Sequence, residues 1–316
     1  MRNLELQIIR LIRRLADAPP SRMVRIGIGD DTAVLKPPPA SEELLLTSDQ
    51  VIENTHFVRN FHPARAVGHQ TAARALSDIA AMGGRPCYYV LSISVPSWAA
   101  GQWIRHYLTG LFRLCKALGV ALVGGDVARG ERFSADVVMA GTAPRGKALL
   151  RSGAKPGDAI YVSGSLGGSA LGLQRLLDEA KGTRDPAVKR HLNPQPRLEL
   201  GRLLRENLRA TAAMDLSDGL SMDLGRLARA SEVGAEIDAA SIPRFSGASL
   251  QHALHGGEDY ELLFTVPARR QVPENFKGLR LTRIGTIRAG RRITLLNGGR
   301  RAPLRPEGFQ HFKVEP

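Results

Sequence analysis

A set of carboxylates recurs in one kind of setting along this chain: Asp30 and Asp31 in GIGDD, Asp49 in LLLTSDQ, Asp78 in LSDIAAMGG, Asp126 in LVGGD, Asp215 and Asp218 in MDLSDGL, and Glu258 with Asp259 in GGEDYEL. Each stands where an apolar or small-residue run gives way to an expected turn. An ionised carboxylate in such a place is costly unless it is paired, hydrogen-bonded or bound to metal. Several brought together repel one another, and divalent cations resolve that repulsion. Oxygen ligands without clustered Cys or His point to Mg²⁺ and away from zinc. Carboxylate-held Mg²⁺ beside glycine turns and helix N-termini is equipment for binding a nucleoside triphosphate. The chain lacks GxxxxGK[ST], HRD and DFG, which argues against P-loop and protein-kinase architectures.

Each acid also has a simpler reading. Asp78 shares a helix face with Thr71 and Arg74, where it could be solvated. Asp218 or Ser217 could be a helix N-cap. Asp49 and Asp126 could be turn residues making Asx hydrogen bonds. The turn GSLGG resembles a phosphate-binding loop but matches neither Walker A nor GxGxxG, so an ordinary tight turn is the favoured reading.

The elements that must carry these residues alternate. Strands are expected at 44–49, 88–95, 120–126 (ending in a Gly-Gly-Asp turn) and 133–143; helices at 62–84 and 98–118. Residues 144–158, basic and rich in Gly and Pro, form the expected connection to a second domain. There, 159–177 reads as strand, glycine turn and helix; 212–228 as a strand end and a helix with a stripe of Leu216, Leu220, Leu224 and Leu227; and 292–304 as a hairpin around Asn297–Gly298. The expectation is an α/β (α+β) protein of two domains, 1–145 and 146–316.

The chain has 316 residues and a formal net charge of +14. The excess is +6 over residues 1–150 and +8 over the rest, so no basic tail carries it. Arg10/Arg13/Arg14, Arg269/Arg270 and Arg291/Arg292 could contact nucleic acid, but aromatics make up only 5% and supply no stacking surface for single strands. Attraction of anionic small substrates is a simpler use for the same field. The N-terminal apolar residues Leu4, Ile8, Leu11, Ile12 and Leu15 have helical spacing. No run is long enough to span a membrane. Cys87 and Cys115 have no CxxC spacing and read as buried thiols, which fits a cytoplasmic protein.

GIGDDTAVL, TSDQVIENTHF, ALSDIAAMGGRP, LVGGD, LLRSGAKPGD, MDLSDGL, GGEDYEL and GFQHF occur in that order, and together resemble the thiamine-monophosphate kinases from about residue 26 to 312. The resemblance implies the aminoimidazole ribonucleotide synthetase-like fold, with an N-terminal ATP- and Mg²⁺-binding domain that pairs across a homodimer to form a β-barrel. It implies transfer of the ATP γ-phosphoryl group to thiamine monophosphate with several Mg²⁺ ions. By similarity, Asp30, Thr47, Ser48, Asp49, Asp78, Asp126, Asp215 and Asp218 are metal ligands. Tyr107, Gly125, Asp126, Arg151 and Ser217 contact nucleotide. His56, Glu258 and Phe309 contact the thiamine phosphate.

A phosphate monoester acceptor is mostly deprotonated at its attacking oxygen near neutral pH. No general base is required, and direct in-line transfer without a phosphoenzyme is expected. Selenophosphate synthetase would need a reactive Cys near the N-terminus, and the hydrogenase-maturation relative a C-terminal Cys; this chain has neither. Aminoimidazole ribonucleotide synthetase remains open, as does a basic nucleic-acid-binding scaffold from a different class.

Overall fold

The computed structural model describes residues 4–16, 22–178 and 184–309. The chain divides into two compact units: Met1–Ile79 with Gly84–Lys147, and Ala80–Gly83 with Ala148–Pro316.

The first unit contains α1 (Leu4–Leu15), a short ribbon of β1 (Val24–Ile26) and β2 (Val34–Leu35), then β3 (Glu42–Ile52), α2 (Ala64–Ala81), β4 (Arg85–Val95), α3 (Gln102–Ala117), β5 (Ala121–Arg129) and β6 (Ser134–Pro144). β3 to β6 form one sheet in the order β3-β6-β4-β5, with β4 and β5 parallel and the other pairs antiparallel. Successive side chains of a strand point to opposite faces. On β3 this buries Leu45 and Val51 on one face and leaves Leu46 67% exposed on the other. Thr47 and Asp49 therefore share the inner face, while Ser48 points the opposite way.

Two sequence expectations change here. Asp49 is no turn residue; it lies inside an 11-residue strand. The Gly-Gly-Asp segment does not end its strand either, because Gly124, Gly125 and Asp126 pair with Val90, Leu91 and Ser92 within β5. The glycine serves close approach and not chain reversal: a Cβ on Gly125 would lie 1.9 Å from the Leu91 carbonyl oxygen.

Helices α2 and α3 meet through reciprocal glycines. A Cβ on Gly68 would come 1.9 Å from Tyr107 O, and one on Gly110 would come 1.9 Å from Arg65 O. Backbone thus packs directly on backbone, which fixes α2, the carrier of Asp78, against its neighbour.

The second unit runs β7 (Ala159–Ser163), α4 (Gly168–Leu177), α5 (Pro186–Leu192), α6 (Leu198–Leu203), a π-helical turn (Leu204–Leu208), β8 (Ala212–Asp215), α7 (Leu220–Ala230), β9 (Gly234–Asp238), α8 (Leu250–His255), β10 (Leu262–Val266), β11 (Asn275–Phe276), β12 (Leu279–Arg288), β13 (Ile293–Asn297) and β14 (Arg300–Pro303). Its sheet has the order β14-β13-β9-β12-β7-β10-β8, with β11 added on β12. The Leu216, Leu220, Leu224 and Leu227 stripe is buried in its core. The hairpin closes where expected, with Asn297 paired to Arg300 around Gly298–Gly299, both at positive φ. Among the described residues no sheet closes into a barrel.

Gly110→Ala should lower stability by roughly 1–3 kcal/mol or more, despite about 1 kcal/mol of gained helix propensity, with the loss read as a lowered denaturant midpoint. Gly225→Ala on α7, whose Cβ would meet nothing nearer than 3.8 Å, should be neutral or stabilising in the same measurement.

Candidate active site

In the first unit, the inner face of β3 meets α2 at two carboxylates. Thr47 Oγ1 donates to Asp78 Oδ2. Asp49 stands beside them with its Oδ2 shut off from solvent and without a hydrogen-bond partner among the described residues. Burial first, and then the neighbouring Asp78 carboxylate, push the Asp49 carboxyl up to about 6, against the pull of Arg74. Asp78 is thus no solvated helix position. An orphaned carboxylate oxygen beside a second carboxylate and a hydroxyl is an all-oxygen donor set that fits a hard divalent cation. Among the described residues no group of three or more His, Cys, Asp or Glu side chains is gathered closely enough to hold a metal ion.

On the opposite face, Ser48 Oγ donates to Asp136 Oδ1 at 2.8 Å. Asp136 is registered against Gln50 on one side and Ser92 on the other, and Ser92 against Asp126, so a polar row crosses all four strands. The sequence reading missed Asp136. An acid in an alternating strand, FSADVVMAG, was the available signal.

A cleft of about 250 Å³ brings GIGDD and LVGGD together: Asp30, Asp31, Gly125 and Asp126 line it, with Arg13 and Glu5 of α1. Asp31 N–H donates to Asp30 Oδ1 at 2.9 Å. His56 follows β3 in a loop anchored by Phe57, which stacks on Trp103 at 5.9 Å. Its Nδ1 accepts from Ile52 N–H at 3.0 Å, leaving Nε2 as the donor nitrogen. Tyr107, expected to touch nucleotide, is fully buried against Trp103 and Phe133. Burial raises its phenol further above the ordinary value. Its ring packs in the core of the first unit.

In the second unit, Asp215 ends β8 and is buried, and Ser217 O accepts from Glu258 N–H at 2.8 Å. The N-cap of α7 is Gly219, not Ser217 or Asp218, and it makes no side-chain cap bond. Asp223 supplies the missing acceptor, reaching back to Asp218 N–H (3.0 Å) and Gly219 N–H (3.1 Å). Arg226 Nη1 bridges Asp223 Oδ1 at 2.8 Å and Asp218 Oδ2 at 2.5 Å. Burial nevertheless raises Asp223 to about 6. Asp223 and Arg226 were absent from the sequence reading, although an acid in a first helical turn is a recognisable partner for free N–H groups.

The GSLGG turn already holds an anion of its own. Asp259 accepts from Gly167 N–H (2.6 Å) and Ser169 N–H (3.1 Å), closing the start of α4. Burial would raise Glu261, but Arg190 and Arg197 outweigh it and hold that carboxyl below its ordinary value. Arg151 is exposed, and its carbonyl accepts from Ser231 Oγ at 2.9 Å. Phe309 is 43% exposed, so it does not plug the core; residues 310–312 of GFQHF lie outside the described residues.

Residues 29–143 match the family described as AIR synthase related protein, N-terminal domain, and residues 155–296 its C-terminal domain. The thiamine-monophosphate kinase of Escherichia coli (strain K12) is 39% identical over 308 residues, covering 92% of both chains. The chain belongs to the thiamine-monophosphate kinase family. The crystal structure of the family's member from Stenotrophomonas maltophilia K279a is similar at a TM-score of 0.80 and 36% identity, covering 91% of this chain and 95% of that one. AaThiL complexed with AMPPCP and TMP is similar at a TM-score of 0.78 and 32% identity, covering 98% and 97%.

The raised Asp49 pKa fixes a sign. A carboxyl that ionises less readily in the fold than in the unfolded chain takes stability away as pH rises from about 4 through about 6, on the order of 2–3 kcal/mol. In metal-free protein, Asp49→Asn should flatten this part of the stability–pH curve and raise the melting temperature at pH 7.5. A divalent cation held at Asp49 predicts that the same substitution lowers turnover with ATP and Mg²⁺ by about two orders of magnitude. Parallel melting and turnover measurements check both halves.

Proposed function

We propose that the protein phosphorylates thiamine monophosphate at the expense of ATP, giving thiamine diphosphate and ADP. The observation that carries this reading is the buried, partnerless Asp49 oxygen beside Asp78, in a chain of the thiamine-monophosphate kinase family. In the first unit, Asp49, Asp78 and Thr47 would hold Mg²⁺, with Asp30 and Asp126 as further ligands lining the cleft and Ser48 acting through its backbone. In the second, Asp215 and Asp218 are the proposed ligands. Bound Mg²⁺ would supply neutralisation of the phosphate charge.

The remaining roles belong to the protein's own groups. Gly125 offers backbone without a side chain at the nucleotide. The exposed Arg151 guanidinium suits bidentate bonding to a phosphate, and Ser217 lies in the same turn as Asp218. His56 presents its Nε2–H as a donor to the acceptor's phosphate. Glu258 meets the positive or aminopyrimidine part of thiamine, and the exposed Phe309 ring offers an aromatic face to the cationic thiazolium. No side chain needs to remove a proton from the acceptor, and none becomes phosphorylated.

Homodimerisation through the first unit, with two sheets closing into a β-barrel, is part of the same proposal. The outer face of β3 supports it: Leu44 and Leu46 are exposed large apolar side chains on an open sheet face. No described helix is long and apolar enough to cross a membrane. With both cysteines free and buried, we place the enzyme in the cytoplasm. Its positive charge serves polyanionic substrates and requires no nucleic acid.

Incubation with ATP and Mg²⁺ alongside thiamine monophosphate, thiamine or aminoimidazole precursors should yield thiamine diphosphate from the monophosphate alone. Failure to form it overturns the assignment. A single-turnover experiment with labelled ATP should leave the protein unlabelled; a trapped phosphoprotein refutes direct transfer.

A further inference from the structure

The last turn of α5 buries a histidine that none of the roles above uses. His191 is 1% exposed. Its Nδ1 lies 2.9 Å from Ser169 Oγ and 3.5 Å from Glu258 Oε2. The Ser169 hydroxyl is at hydrogen-bonding distance from Nδ1, and the Glu258 carboxylate lies at ion-pair distance from the same nitrogen, which favours a proton there. Each end of the arrangement is itself fixed. Ser169 opens α4, and its N–H is held by Asp259 Oδ1. Glu258 sits at φ 66° and Tyr260 at φ 49°, left-handed conformations that non-glycine residues adopt when their surroundings impose them. Glu258 N–H is tied to Ser217 O and Tyr260 N–H to Leu216 O, so backbone bonds hold the segment while the Glu258 side chain stays half-buried.

A carboxylate that must meet a cationic or amino-bearing ring needs one rotamer, and a long, flexible side chain does not keep one unaided. We infer that His191 is a positioning residue that fixes the Glu258 carboxylate for recognition of the organic part of the acceptor. It acts through Glu258 and touches no reacting atom. The inference rests on the reading of Glu258 as an acceptor-binding residue.

The test compares His191→Gln, His191→Asn, Glu258→Gln and the double variant His191→Gln/Glu258→Gln, with melting temperatures as a check on folding. Gln moves its amide toward the Nε2 position and loses the Nδ1 donor, whereas Asn keeps a donor near Nδ1. His191→Gln should raise KM for thiamine monophosphate roughly tenfold while leaving KM for ATP within about twofold. His191→Asn should recover most of that loss. The double variant should be no worse than Glu258→Gln alone, because both changes remove one coupled unit. Multiplying effects, or equal rises in both KM values, would show His191 acting elsewhere or merely structurally. An unchanged acceptor KM in Glu258→Gln overturns the Glu258 assignment and this inference with it. An unchanged acceptor KM in His191→Gln, with a raised one in Glu258→Gln, overturns only the inference. Should His191→Gln fail to fold, imidazole NMR of the unsubstituted enzyme should show His191 protonated at Nδ1, with a resonance that Glu258→Gln shifts; a resonance unmoved by Glu258→Gln counts against His191.

Discussion

The first unit is organised around the repulsion between Asp49 and Asp78. One acid belongs to a strand and the other to a helix, so their separation is set by how the helix packs and not by local turn chemistry. The reciprocal glycines of α2 and α3 let two backbones touch. The Thr47 hydroxyl satisfies Asp78, but Asp49 keeps an unmet oxygen. Folding by itself would favour an amide or an apolar residue at that position. A charge retained there is a local inconsistency of the kind that functional sites carry.

The second unit answers the same electrostatic problem with its own groups. Asp223 takes two backbone N–H groups and Arg226; Asp259 takes the two N–H groups that open α4; Glu261 takes Arg190, Arg197 and Ser163. These acids are framework. They shape the turns that present Ser217, Asp218 and Glu258, and their demands are met inside the chain. Acids that look alike in sequence thus divide by whether the fold supplies their counter-charge.

Much of the architecture was legible because periodicity reports burial. The expected strands and helices of the first unit, the α7 leucine stripe and the hairpin at Asn297–Gly298 all rest on apolar spacing or turn chemistry. Glycine was the misleading residue. In LVGGD it was read as a chain reversal, but it allows a strand to approach a neighbouring carbonyl, a tertiary demand with the same local signature. In GSLGG the favoured reading, a tight turn, is what forms, and the anion it holds is Asp259, more than ninety residues away in sequence. Asp136, Asp223, Arg226 and His191 escaped notice for a related reason: each matters through a partner that only folding brings near. Tyr107 marks a different limit: an aromatic on an amphipathic helix reads equally as ligand contact or core, and only the fold shows that its ring is buried.

The alternation along β3 has one more consequence. Thr47, Ser48 and Asp49 are consecutive, yet the middle residue looks out over an open sheet while its neighbours look in toward α2. One peptide bond therefore separates two surfaces with different obligations. Substitutions at 44, 46 and 48 bear on what the outer sheet meets; those at 45, 47 and 49 bear on the interior and its carboxylates. The two sets can drift independently along a single strand, so the chemistry of the outer sheet face and that of the inner carboxylates need not evolve in step.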